Sequence, residues 1–272
     1  MTASANAARF FVDRHSIERP DKTAFREAAG KKRSLSYGQL AIDSSHFAGA
    51  LARAGITRES RIAMLVLDQI EFPQIFWGAL KSGVIPVPLN TLLSTAVYEA
   101  ILRDSRATAL FVSAELWPVV KLAAQAAPEL RHIVVIGDEI PEGTTGLIDF
   151  LAGAEPQQAV ACSADEVAFW LYSSGSTGLP KGVRHVHGAI RASADTYGAQ
   201  VLKLAEQDVV YSVAKLFFAY GLGNAMNMPM AVGATAVLFN GRPTPEVVLD
   251  ILEAEKPTIF CGVPTLYAAT LA

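Results

Sequence analysis

Short apolar runs alternate with longer amphipathic ones along this chain, a pattern that predicts strands interleaved with helices. Residues 61–67 (RIAMLVL) read as a buried strand. Asp68 is placed to cap a helix reaching Lys81, with Ser82-Gly83 as its stop. A short strand follows at 84–87, then a helix from Thr95 to Arg103, a strand at 107–112, a helix at 114–126 and a strand at 132–136. The pattern weakens over 141–163, where Pro141, Gly143, Gly146, Gly153 and Pro156 interrupt it. A subdomain boundary is expected near 155–163, dividing the chain into residues 1–160 and 161–272. The rhythm then resumes. Strands are predicted at 167–172, 182–185, 209–213, 234–239 and 258–261, with helices from His187 to about Leu204 and over 245–255. Strand–helix alternation of this kind predicts an α/β fold of mainly parallel sheets covered by helices. Residues 264–272 read as a helix just begun, without a C-terminal cap.

Composition narrows the class. The 272 residues are 51% hydrophobic and 18% charged, enough apolar material for one large or two smaller cored domains. A net charge of −3 gives no basis for a nucleic-acid partner. The basic run Lys31-Lys32-Arg33 reads as a solvated turn. The two cysteines, Cys162 and Cys261, sit beside apolar runs and are expected as buried thiols. His185 and His187 alternate without a third ligand nearby in sequence, so no metal site is expected. No window reaches the roughly 20 apolar residues of a membrane span, and the first residues lack the apolar stretch of a signal peptide. These features predict a cytoplasmic protein with no membrane partner.

The chemistry is concentrated in residues 172–182, Tyr-Ser-Ser-Gly-Ser-Thr-Gly-Leu-Pro-Lys-Gly. Glycines let backbone N–H groups converge on an anion, hydroxyls add reorientable donors, and Lys181 adds a full positive charge. Such a loop suits a polyphosphate, although Ser/Gly clusters also form plain surface loops. The P-loop pattern fails, because Pro180 precedes Lys181 and Gly182 follows it. The hydrolase pattern G-x-S-x-G fails because Ser176 directly follows Gly175. A second segment, residues 214–224, holds Phe217, Phe218 and Tyr220 with Gly221 and Gly223. Its aromatics could be core, or the walls of a flat apolar slot for a planar ring.

The ordered string S-S-G-S-T-G-L-P-K-G closely resembles the phosphate-binding loop of the acyl-adenylate-forming enzymes. Residues 6–14, 61–67, 83–93, 214–224 and 262–267 are similar to the benzoate-CoA ligase branch of that family, so the likeness covers essentially the whole chain. The resemblance implies the large N-terminal domain of such enzymes, built of two α/β subdomains and incomplete at its C-terminal end. It also implies that an aromatic carboxylate and ATP form an acyl-adenylate, which CoA converts to a thioester. Ser173, Ser174, Gly175, Ser176, Thr177 and Gly178 would hold the phosphates. Lys181 would balance charge, and Thr177 is a candidate hydroxyl near a Mg²⁺ ion carried by ATP. Phe218, Ala219, Tyr220 and Gly221 would form the aryl pocket.

Members of the family continue into an adenine-binding segment, a ribose-binding aspartate, a hinge and a small C-terminal domain with a catalytic lysine. This sequence ends before these features, so the resemblance implies an N-terminal fragment. The missing part would be supplied in cis or by another chain, and these residues alone are expected to form no CoA thioester. The other readings are an inactive fragment, a ligase for a different carboxylic acid, or a phosphate-binding module without enzyme activity.

Overall fold

The computed structural model describes residues 5–174 and 180–271. Among them the strands, in chain order, are β1 (Thr23–Glu27), β2 (Ser34–Ser36), β3 (Arg61–Leu65), β4 (Ile85–Pro88), β5 (Ala109–Ser113), β6 (His132–Ile136), β7 (Thr145–Gly146), β8 (Val167–Ser174), β9 (Pro180–Val186), β10 (Val209–Ser212), β11 (Thr235–Leu238) and β12 (Ile259–Cys261). The chain divides into two compact units that interleave along the sequence. The sequence-predicted boundary near 155–163 falls inside the first of them.

The first unit comprises Met1–Ala8, Ile42–Leu67 and Gln74–Gly188. Its main sheet has the order β4-β3-β5-β6-β7, with every pair parallel. β5 is buried at every position, as expected of a parallel strand covered on both faces. The helices Thr95–Ser105 and Trp117–Ala126 contribute Tyr98, Leu102, Val120 and Ala123 to a buried cluster with Leu65, Val87, Leu110 and Val112. β8 and β9 form a separate antiparallel hairpin, and Trp170 and Tyr172 of β8 pack against the same cluster.

The second unit comprises Arg9–Ala41, Asp68–Pro73 and Ala189–Ala272. Its sheet runs β12-β10-β11-β1-β2 and is parallel except for the β1–β2 pair. The helix Pro245–Glu255 connects β11 to β12 and matches the predicted bounds. Its ends are locally encoded. The Thr244 side chain accepts the Val247 N–H, Pro245 takes the first turn, and Lys256 adopts a left-handed conformation beyond the last turn. Val248 and Ile251 of this helix are buried in a cluster with Tyr211, Val237 and Leu266.

Two local expectations are corrected. Asp68 caps no helix, because the helix begins at Glu71 and the Asp68 carboxylate accepts the Leu216 N–H instead. The basic run is only partly solvated. Lys31 and Lys32 are exposed, but Arg33 forks onto Glu27 at 2.6 and 3.0 Å and reaches Glu71 at 2.9 Å. Glu27 also accepts the Ile70 N–H at 3.2 Å, so the network ties residues 70–71 to the β1–β2 hairpin. Neither cysteine is in a disulfide; Cys261 is buried and Cys162 is half-buried. Among the described residues no helix is long and apolar enough to cross a membrane.

Two buried histidines set an acid limit on stability. In the second unit the His15 Nε2–H donates to the Met230 carbonyl at 2.5 Å, while Nδ1 accepts from Arg19. In the first unit the His187 Nδ1 accepts the Ala7 N–H at 3.2 Å. Burial lowers both imidazoles to about 4 from an ordinary 6.5. The unfolded chain therefore binds more protons between these values, and stability is full above pH 6.5 and is lost as pH falls toward 4. Each histidine is expected to contribute up to about 3 kcal/mol to that loss. Asp68 acts in the opposite sense: burial raises its carboxyl to about 6, which offsets part of the loss. Guanidinium unfolding should show a lower midpoint at pH 4.5 than at pH 7, and a flat or rising midpoint would contradict the neutral histidines.

Candidate functional site

The candidate residues fall on two segments, one in each unit. The first is the β8–β9 hairpin. Antiparallel register pairs Trp170 with Arg184, Tyr172 with Gly182, Ser173 with Lys181 and Ser174 with Pro180. Directly opposed residues share a face, so Ser173 and Lys181 stand side by side, and both are exposed. Lys181 therefore belongs to a strand rather than to the loop, because β9 begins at Pro180 and not near Gly182. Proline is tolerated at such a first position, where no ladder N–H is required.

The other face of the hairpin is anchored. The Tyr172 hydroxyl donates to the Asp104 carboxylate at 2.5 Å, from the C-terminal part of the helix Thr95–Ser105. Burial and the Asp104 charge push the phenol upward, so it stays a donor at any physiological pH. The Arg61 guanidinium lies 6.0 Å over the Trp170 ring. Gly182 has a steric task here, since an added Cβ would stand 3.2 Å from both the Trp170 and the Tyr172 rings. Gly175, Ser176, Thr177 and Gly178 lie outside the described residues.

The alternating histidines at the far end of β9 serve packing. The His185 ring stacks on Phe169, with centroids 4.5 Å apart and planes 5° from parallel, and burial lowers its pKa. His187 begins the next helix. Among the described residues no three His, Cys, Asp or Glu side chains converge as a metal site would require.

The second segment lies in the second unit. Phe217 is buried, whereas Phe218 and Tyr220 are each 45% exposed and Ala219 between them is exposed. The Phe217 and Phe218 rings meet at 4.5 Å. The Tyr220 hydroxyl points at the Gly262 carbonyl, 3.4 Å away, beside Cys261. Gly221 is buried; a methyl group there would overlap the carbonyl oxygens of Lys215 and Ala214. Phe218, Ala219 and Tyr220 thus offer side chains to a ligand, while Gly221 permits the turn that presents them.

Two charged residues under this segment escaped the sequence reading. Asp68 is 5% exposed, and both of its oxygens lie within 3.3 Å of the Leu216 N–H. Lys215 donates to the Phe239 carbonyl and, at 2.8 Å, to the Gly241 carbonyl. Burial raises the Asp68 carboxyl and lowers the Lys215 ammonium, while their mutual attraction opposes both shifts. The available signal was an acidic residue directly after an apolar strand, which local reasoning assigned to a cap.

Residues 12–272 match the model of the AMP-binding enzyme family. The chain is 48% identical over 269 residues to the 4-hydroxybenzoate–CoA/benzoate–CoA ligase of Rhodopseudomonas palustris, a match covering 98% of this chain and 49% of that protein. It also resembles the solved benzoate CoA ligase from Burkholderia xenovorans LB400, with a TM-score of 0.89 and 39% identity over 98% of this chain and 52% of that one. The anthranilate CoA ligase AuaEII, solved in complex with anthranoyl-AMP, aligns with a TM-score of 0.94 and 35% identity over 99% of this chain and 52% of that one. The chain spans about half the length of the relatives it matches.

Proposed function

The chain belongs to the AMP-binding enzyme family, and from that premise we propose that the protein carrying it is an ATP-dependent ligase joining an aromatic carboxylic acid to coenzyme A. The observation that carries the reading is the ordered phosphate-loop sequence on the β8–β9 hairpin, with Ser173 and Lys181 opposed at the end where residues 175–179 join the two strands. The names of the similar ligases support an aryl substrate. So does the 218–220 segment, whose two exposed rings flank one small side chain.

The reaction runs in two steps. A carboxylate oxygen attacks the α-phosphorus of ATP, pyrophosphate leaves, and an acyl-adenylate forms. The CoA sulfur, losing its proton, then attacks the acyl carbon and AMP leaves. Both partners of the first step are anionic, so alignment and charge neutralisation carry the catalysis. In this reading Ser173, Ser174, Gly175, Ser176, Thr177 and Gly178 hold the phosphates and Lys181 neutralises them. ATP brings Mg²⁺ as a chelate. Thr177, the hydroxyl proposed near it, lies outside the described residues, and no step is assigned to the metal.

ATP–pyrophosphate exchange by the full-length protein tests the proposal, using benzoate, hydroxybenzoates, aminobenzoates and cyclohexanecarboxylate. Exchange with a planar ring acid is expected, and exchange only with aliphatic acids would refute it. Ring selectivity is expected to sit partly in residues 218–221. Ala219→Leu should raise KM for benzoate much more than KM for ATP, the signature of lost acid binding. If neither constant moves, the segment is not the acid site.

A further inference from the structure

The side chains of Phe218, Ala219 and Tyr220 follow a peptide that is held from several directions within the second unit. The Leu216 N–H points between both oxygens of the buried Asp68 carboxylate, at 3.2 and 3.3 Å. The Lys215 ammonium is fixed by the Phe239 and Gly241 carbonyls and lies 5.0 Å from the Phe239 ring centroid. The Lys215 carbonyl accepts the Phe218 N–H at 3.0 Å and leaves room only for a glycine at 221. A buried carboxylate is costly unless it is hydrogen-bonded, so Asp68 and the Leu216 amide hold each other in one geometry.

We propose that Asp68 is a positioning residue for the aryl acid: its carboxylate anchors the Leu216 amide and so sets where Phe218, Ala219 and Tyr220 stand. The proposal rests on the reading of residues 218–221 as the acid-binding segment. Asp68 is buried and acts through the backbone that follows Lys215.

The test compares Asp68 variants in the full-length protein, with benzoate and ATP kinetics measured for each and Ala219→Leu as a control for the acid site. Asp68→Ala, which leaves the Leu216 N–H without its acceptor, is expected to raise KM for benzoate about tenfold. KM for ATP should stay within about twofold, since phosphate alignment is untouched. Asp68→Asn keeps one oxygen that can accept the Leu216 N–H and should return KM for benzoate toward the wild-type value. A folded Asp68→Ala variant with unchanged acid KM would overturn the proposal. So would a parallel rise in KM for ATP, or an Asp68→Asn variant no better than Asp68→Ala. Should Asp68→Ala fail to fold, Asp68→Glu keeps the charge but displaces it, and an unchanged acid KM there also counts against the proposal. Absence of any aryl-acid turnover by the wild type overturns both this proposal and the ligase reading. Wild-type turnover with immobile Asp68 variants overturns this one alone.

Discussion

In the full-length protein, Lys181→Ala is expected to lower benzoate-dependent ATP–pyrophosphate exchange by about 100-fold, the scale for losing one donor that stabilises charge in a transition state. The side chain is exposed, sits on the second residue of β9 and opposes Ser173 across the hairpin. Because the strand ladder holds its backbone, the cation is presented without the entropy of a free loop residue. Its removal should leave stability within about 0.5 kcal/mol of wild type, as at most exposed positions without special contacts. Exchange should therefore fall while the melting temperature stays put, and Lys181→Arg should recover part of the loss. Full exchange in a folded Lys181→Ala protein would remove this lysine from the mechanism.

Gly221→Ala is expected to act through the fold. The added methyl group would overlap the carbonyls of Lys215 and Ala214, and these are backbone atoms that cannot swing aside as a flexible side chain would. The turn must open or the strand end must shift, at a cost of about 3 kcal/mol or more. For a domain of this size that corresponds to a fall of roughly 6–12 °C in melting temperature. Ala219→Leu, two residues earlier and exposed, should leave the melting temperature near wild type. A Gly221→Ala protein that melts with wild type would show that the turn does not fold back over Lys215.

Much of the α/β pattern was legible because its signals are local. β6 and the helix Pro245–Glu255 were placed to the residue, the first by a four-residue apolar run after His132 and the second by its Thr-Pro start. The region before residue 61 was not legible as elements. β1 and β2 are short, and they are strands because β1 pairs with β11, more than two hundred residues away. Arg33 was misread for a related reason. Its charge suggested solvent, but Glu27 across the hairpin and Glu71 form a fork that no local window contains.

By itself the sequence determined the class of fold, the family and the identity of the chemical groups: the hydroxyls, glycines and lysine of residues 173–182 and the aromatics of 217–220. Those properties follow from residue type and short spacing, which survive without coordinates. Only tertiary structure decided their surroundings. It put Lys181 on a strand opposite Ser173, buried Phe217 while leaving Phe218 and Tyr220 open, and turned Asp68 from an expected cap into a buried partner of the Leu216 amide. Burial and charge pairing depend on residues far apart in sequence, and the balance of desolvation against attraction exists only once packing has brought them together.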